Sequence, residues 1–253
     1  MRWLAVFPIL ASFLPWAFSS LYAVAKDAPG VFDKPAEVVK IPLKPDPLNP
    51  QAKPMLSCFY FRGFAVKQID RGEVGAERLS IIPIAGEKPA CAEAKAGSEI
   101  VVDSAQWGGY FKGVKGDYVF FDAADGWNGG VGFAIFTKSG KKVFEDVGKG
   151  FHAIKLVESG IALKYRRVYG AKCSLFADSP GCWAAIRKET GLAQASPPDC
   201  AAAYKREQKR TPAYAQQVAA DPTVITYEVE TVVAGGSGRI SAAPGKVSCQ
   251  PAI

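Results

Sequence analysis

The chain has 253 residues, 49% of them hydrophobic and 22% charged, proportions that exclude a disordered or collagen-like polymer and provide for one sizeable core. Its formal net charge is +7, yet the lysines are spread from Lys34 to Lys246 and no nucleic-acid-binding module is recognisable, so nucleic acid is not expected as a partner. A modest positive balance suits solubility and contact with anionic envelope polymers or headgroups.

Arg2 is the only charge before Lys26. An apolar stretch runs from Trp3 to Phe18, and Ser19, Ser20 and Ala23-Val24-Ala25 follow. A basic start, an apolar centre and a small-residue exit read as a cleavable signal peptide over residues 1–25. Pro8, Pro15 and the serines speak against a membrane anchor. No cysteine stands near the exit for lipid attachment, and no later stretch is long and apolar enough to span a bilayer as a helix. The expectation is a periplasmic or secreted protein with no transmembrane segment after cleavage.

Residues 26–54 carry Pro29, Pro35, Pro42, Pro45, Pro47, Pro50 and Pro54. Proline removes backbone donors and holds φ near extended values, so a proline-rich leader or linker is expected, either a spacer or an arm laid on the surface. A partner's docking motif is a further use of such a segment.

Residues 55–253 read as a single β-rich domain. Early strands are expected over Phe59–Val66, Leu79–Ile84 and Ile100–Asp103, with Pro83 at an edge or bulge. Gly116, Gly126, Gly130, Gly140, Gly150, Gly160 and Gly170 then punctuate aromatic-rich runs, the spacing of short antiparallel strands. Ser139-Gly140 and Glu158-Ser159-Gly160 read as hairpin turns. After the second turn, Ile161, Leu163 and Tyr165 alternate with Ala162, Lys164 and Arg166, as in a half-buried strand.

The stretch Tyr118 to Asp146 resembles one blade of a β-propeller. That resemblance implies at least about four such blades, for which a helical interruption before residue 220 leaves no room. The expected fold is therefore mainly β, and α+β at the C-terminal end: an antiparallel meander forming a sandwich or barrel-like core. Helices are expected within about 179–220. The first opens at Ser179-Pro180 and stops at Gly191, the second runs from Pro198 to Lys209, and a third from Thr211-Pro212 to Ala219. Ile225, Tyr227 and Val229 then alternate with polar residues in a last strand that pairs back into the sheet.

The cysteines are Cys58, Cys91, Cys173, Cys182, Cys200 and Cys249. An even count on an exported chain reads as disulfides. The absence of a C-x-x-C pair, and a single histidine, His152, argue against zinc. Six cysteines allow 15 pairings; joining sequence neighbours gives Cys58 with Cys91, Cys173 with Cys182 and Cys200 with Cys249.

Chemistry is sparse. Asp122, Asp125 and Asn128 put three oxygen-bearing side chains in a glycine-rich turn, a set that calcium could use, although the spacing is not that of an EF-hand. A polar hairpin loop is the alternative, and no other cofactor is expected. Trp107, Tyr110, Trp127 and Asn128 belong to two tryptophan–glycine segments. Exposed at one end of the sheet they would form a platform for a sugar or a partner's apolar patch, whereas core packing would bury them. His152 has no nucleophile at recognisable spacing, no G-x-S-x-G is present, and Ser139-Gly140-Lys141-Lys142 lacks the companions of an S-x-x-K site. Asp122, Asp125, Glu145 and Asp146 are the carboxylates from which a glycosidase-like pair could be drawn. The basic run Lys205 to Arg210 reads as a solvated helix face.

The reading is an exported, disulfide-stabilised, non-enzymatic binding or structural component of the cell envelope, with an envelope protein or glycan as partner. Its alternatives are a secreted carboxylate-dependent hydrolase of envelope glycans and a carbohydrate-recognition module. Nothing in the sequence sets an oligomeric state.

Overall fold

The computed structural model describes residues 27–194 and 196–252, so the expected signal segment lies outside the described residues. Two antiparallel sheets carry the fold. The smaller runs β1 (Glu37–Pro42), β2 (Met55–Phe61), β3 (Phe64–Asp70), β4 (Arg78–Pro83) and β5 (Ile100–Val101) in sequence order. The larger runs β6 (Gly109–Lys115), β7 (Tyr118–Trp127), β8 (Gly130–Thr137), β9 (Lys142–Val157), β10 (Gly160–Gly170) and β11 (Thr223–Ala234). Both β12 (Ser237–Ala242) and β13 (Ser248–Pro251) pair with β11, one along each half of it.

Between β10 and β11 stand α1 (Ser179–Thr190), α2 (Ala201–Arg210), a 3-10 turn (Pro212–Tyr214) and α3 (Ala215–Ala220). The cap of α1 is Asp178 rather than Ser179: its carboxylate accepts from the Gly181 amide at 3.3 Å. Gly191, at φ 70°, closes the helix in the left-handed conformation that glycine tolerates best. The apolar run Phe59–Val66 is not one strand but the hairpin of β2 and β3, turned at Arg62-Gly63. Nor is β11 the last strand, because Gly235-Gly236 turns the chain back into β12.

Alternation along the strands builds the layers. Phe121 and Phe136 face the small sheet, where they meet Phe64, Val66, Leu79 and Ile81. Their neighbours Phe120 and Ile135 face the other way, into a cluster with Phe133, Phe151, Leu163, Tyr165 and Tyr227 that also takes Trp183, Ile186 and Tyr204 from the helices. The result is a sandwich with a helical cover over part of the large sheet.

The strand β9 belongs to two pairings. It runs beside β8 as far as Gly148 and beside β10 from Gly148 to Val157. Where β8 departs, the proline-rich leader takes its place as an arm. Ala28 donates to the Phe151 carbonyl at 2.9 Å, the Phe151 amide donates to Asp27 Oδ1 at 2.7 Å, and Asp33 donates to the Val114 carbonyl at 2.8 Å. Residues 27–33 thus bridge β6 and β9, and β1 follows within the same leader.

Disulfides join Cys58 to Cys91, Cys173 to Cys182 and Cys200 to Cys249. The first pins the segment 84–99 over β2, the second ties α1 to the end of β10, and the third ties the start of α2 to β13. Three such bonds suit an oxidising compartment. Among the described residues, no helix is long and apolar enough to cross a membrane.

Candidate functional site: the open face of the large sheet

Because laterally paired residues share a face, the register maps the side of β9–β12 turned away from the core. One row reads Lys155, Ala162, Val232, Arg239; the next reads Ala153, Lys164, Glu230, Ser241. Arg166 and Glu228 form the third, with the Arg166 guanidinium on Glu228 at 2.9 Å and His152 Nε2 on the same carboxylate at 3.1 Å. Lys164 meets Glu230 at 3.3 Å. Among the described residues, Lys149, Lys155 and Arg239 have no carboxylate partner. Burial, and then the charge of Arg166, push the Lys149 ammonium below the usual lysine range, a state that a bound anion would relieve.

The far end of this face is roofed by the β7–β8 hairpin. A side chain at Gly170 would collide with the Trp127 ring and one at Gly130 with Val168, so the hairpin lies directly on the sheet and only glycine permits the approach. Trp127 is 44% exposed. Asn128, in the left-handed region at φ 51°, makes the turn and is itself buried, and its carbonyl accepts from Gln250 of β13 at 3.4 Å. From Ala162 to Arg166 the uncovered part of the face extends about 14 Å at roughly 3.4 Å per residue, room for a short run of sugar units.

The other aromatic residues singled out by sequence lie elsewhere. Trp107 is half-buried against Gly132, and its indole donates to the Asp122 carbonyl at 3.3 Å. The Tyr110 hydroxyl accepts from the Gly75 amide at 2.9 Å and donates to the Glu73 carbonyl at 3.0 Å. Of the four, then, Trp127 and Asn128 stand together on the hairpin, while Trp107 and Tyr110 sit at the start of β6, beside Asp122 of β7.

The candidate carboxylates are held apart. Asp122 is bonded to Lys112 at 2.7 Å, and Lys112 also meets Asp27 at 3.3 Å. Burial raises the Asp122 carboxyl above its usual range despite Lys112, and Asp27 adds to the rise. Asp125 is exposed on a bulged part of β7, and Glu145 pairs with Lys142 at 2.8 Å. Asp146 takes the Tyr165 hydroxyl and, at 2.9 Å, Arg167, which in turn donates to the Tyr227 hydroxyl at 3.0 Å. Burial first, and then the neighbouring Asp146 carboxylate, raise Tyr165, fixing it as a neutral donor. The register places Phe133 between Asp122 and Asp146. The crevice among Lys112, Asp122, Phe133, Lys149 and Tyr165 measures about 20 Å³, enough for a water but not for a sugar ring. Among the described residues, no group of three or more His, Cys, Asp or Glu side chains is placed to hold a metal ion.

The basic residues of this face were not singled out from the sequence. Arg239 lies more than 70 residues beyond Lys155, Lys164 and Arg166, and only the strand register brings it beside them; the outward alternation of Lys164 and Arg166 was the one visible sign. Comparison with protein-family models, with curated proteins and with solved structures gave no match.

Proposed function

We propose that this chain is an exported, non-enzymatic binding component of the cell envelope, periplasmic or secreted, and that it holds an anionic glycan on the open face of its large sheet. One observation carries the reading: Lys155 and Arg239 share a row of the open face and Lys149 stands beside the β7–β8 turn that carries the exposed ring of Trp127, and none of these three cations meets a carboxylate among the described residues. Cations attract a uronate, phosphate or sulfate group, and an indole offers a sugar an apolar surface. The size of the crevice at Asp122 favours binding over hydrolysis.

The test is co-sedimentation of the mature chain with an insoluble acidic polysaccharide, pectate, and with neutral cellulose. Retention on pectate in low salt is expected, with no soluble fragments released over time. Trp127→Ala should weaken that retention by roughly tenfold, about 1.4 kcal/mol. Turnover, or equal retention on cellulose, would overturn the proposal.

A further inference from the structure

A second surface lies on the small sheet, where β1 is an edge. Its pairing with β2 fixes which backbone groups are free. Leu43 donates to the Pro54 carbonyl at 3.0 Å, and in an antiparallel ladder successive residues alternate between facing the partner strand and facing away. Ile41, Val39 and Glu37 therefore turn their amides and carbonyls to β2, and Val38 and Lys40 turn theirs outward. A bulge ends the ladder, since Ala36 and Glu37 both lie opposite Tyr60. Among the described residues, no strand covers this edge.

Beside the edge runs a groove of about 520 Å³ lined by Val39, Ile41, Tyr60, Pro89, Ala90 and Cys91. Its far wall is rigid. Cys91 is bonded to Cys58, the Tyr60 hydroxyl donates to the Pro89 carbonyl at 2.9 Å, and Lys88 meets Glu37 at 2.7 Å while standing 4.7 Å over the Tyr60 ring.

We infer that this edge and groove take up an extended segment of a partner polypeptide by strand addition, on a site separate from the glycan face. The free groups at Val38 and Lys40 alternate donor and acceptor at two-residue spacing, the pattern that another extended backbone matches. The groove accepts apolar side chains at alternate positions. Charge argues against a polyanion here, because Glu37 and Lys88 at the rim neutralise each other. Pro42, lacking an amide, limits the edge at one end and favours a short segment over a further sheet.

The test uses a displayed library of linear peptides about a dozen residues long, panned on the mature chain and measured against two variants. Val38→Pro removes an outward amide at an edge position where proline is tolerated. Ile41→Glu places a carboxylate in the groove from a side chain that is already 38% exposed, so the fold is retained if the proline variant fails. Enriched peptides should alternate apolar and polar residues, slow amide exchange at Val38 and Lys40, and bind each folded variant roughly tenfold more weakly. Failure to enrich any peptide, unchanged exchange at those two amides, or parental affinity for Ile41→Glu would overturn the inference.

Discussion

Lys67→Ala is expected to lower the unfolding free energy by about 3–5 kcal/mol, a large part of the roughly 5–15 kcal/mol typical of a folded protein. Lys67 on β3 and Glu99 meet at 2.6 Å with side-chain exposures of 2% and 0%. The ammonium also donates to the carbonyls of Ala92 at 3.2 Å and Ala94 at 3.0 Å, and the Ala96 amide donates to Glu99 at 2.9 Å. Truncating Lys67 strands a buried carboxylate and frees the segment that walls the β1 groove. Lys67→Met with Glu99→Leu removes both charges and should recover most of the loss, since the desolvation cost goes with them.

The same pair sets an acid limb. Burial drives the Glu99 carboxyl upward, but Lys67, the Ala96 amide and the Ser80 hydroxyl outweigh it and leave the group below its ordinary value of 4.5. A carboxyl lowered in the folded state contributes stability that is complete above its unfolded value and is lost as pH falls through the folded one. The parent's urea midpoint should therefore fall further than the double variant's between pH 7 and pH below about 4.5. Parallel acid limbs would show that the pair does not carry this dependence.

Phe151→Ala is the second large effect, again about 3–5 kcal/mol. The ring is 2% exposed and meets Phe133 at 4.8 Å, Phe120 at 5.5 Å, Tyr165 at 5.8 Å and Phe32 at 6.0 Å. Removing it opens a cavity where β9 leaves β8 and withdraws one side of the pocket that holds Phe32 of the arm. Because Phe32 packs on this ring and residues 27–33 are hydrogen-bonded to β9 at Phe151, the arm should become cleavable by a protease that spares the parent. Denaturant melts measure the first consequence, and N-terminal sequencing of digests the second. An Ala variant with parental stability and an uncut arm would contradict the role given to this ring.

The β-rich meander was legible because its information is local: glycine spacing marks the turns of β7 to β10, and period-two alternation marks the buried faces of β10 and β11. Pro180 and Gly191 announced α1 for equally local reasons. The leader was harder to read. Its prolines correctly forbid helix, but pairing of Glu37–Pro42 with β2 depends on residues that the leader does not contain. The candidate site was less visible still. The two tryptophan–glycine segments look alike in sequence, yet tertiary packing half-buries Trp107 and leaves Trp127 exposed. The cations of the open face become neighbours only through the register of four strands.

The most direct test of the binding face is the triple variant Lys149→Ser, Lys155→Ser, Arg239→Ser, compared with the parent for retention on pectate across a salt series. Lys155 and Arg239 are exposed and Lys149 is half-buried beside the β7–β8 turn, and none of the three has an ion-pair partner to strand among the described residues, so the fold should hold. The expected result is roughly tenfold or greater weakening in low salt, with the gap closing as added salt screens the parent's own attraction. Retention equal to the parent's at every salt concentration would contradict the assignment of an anionic glycan to this face.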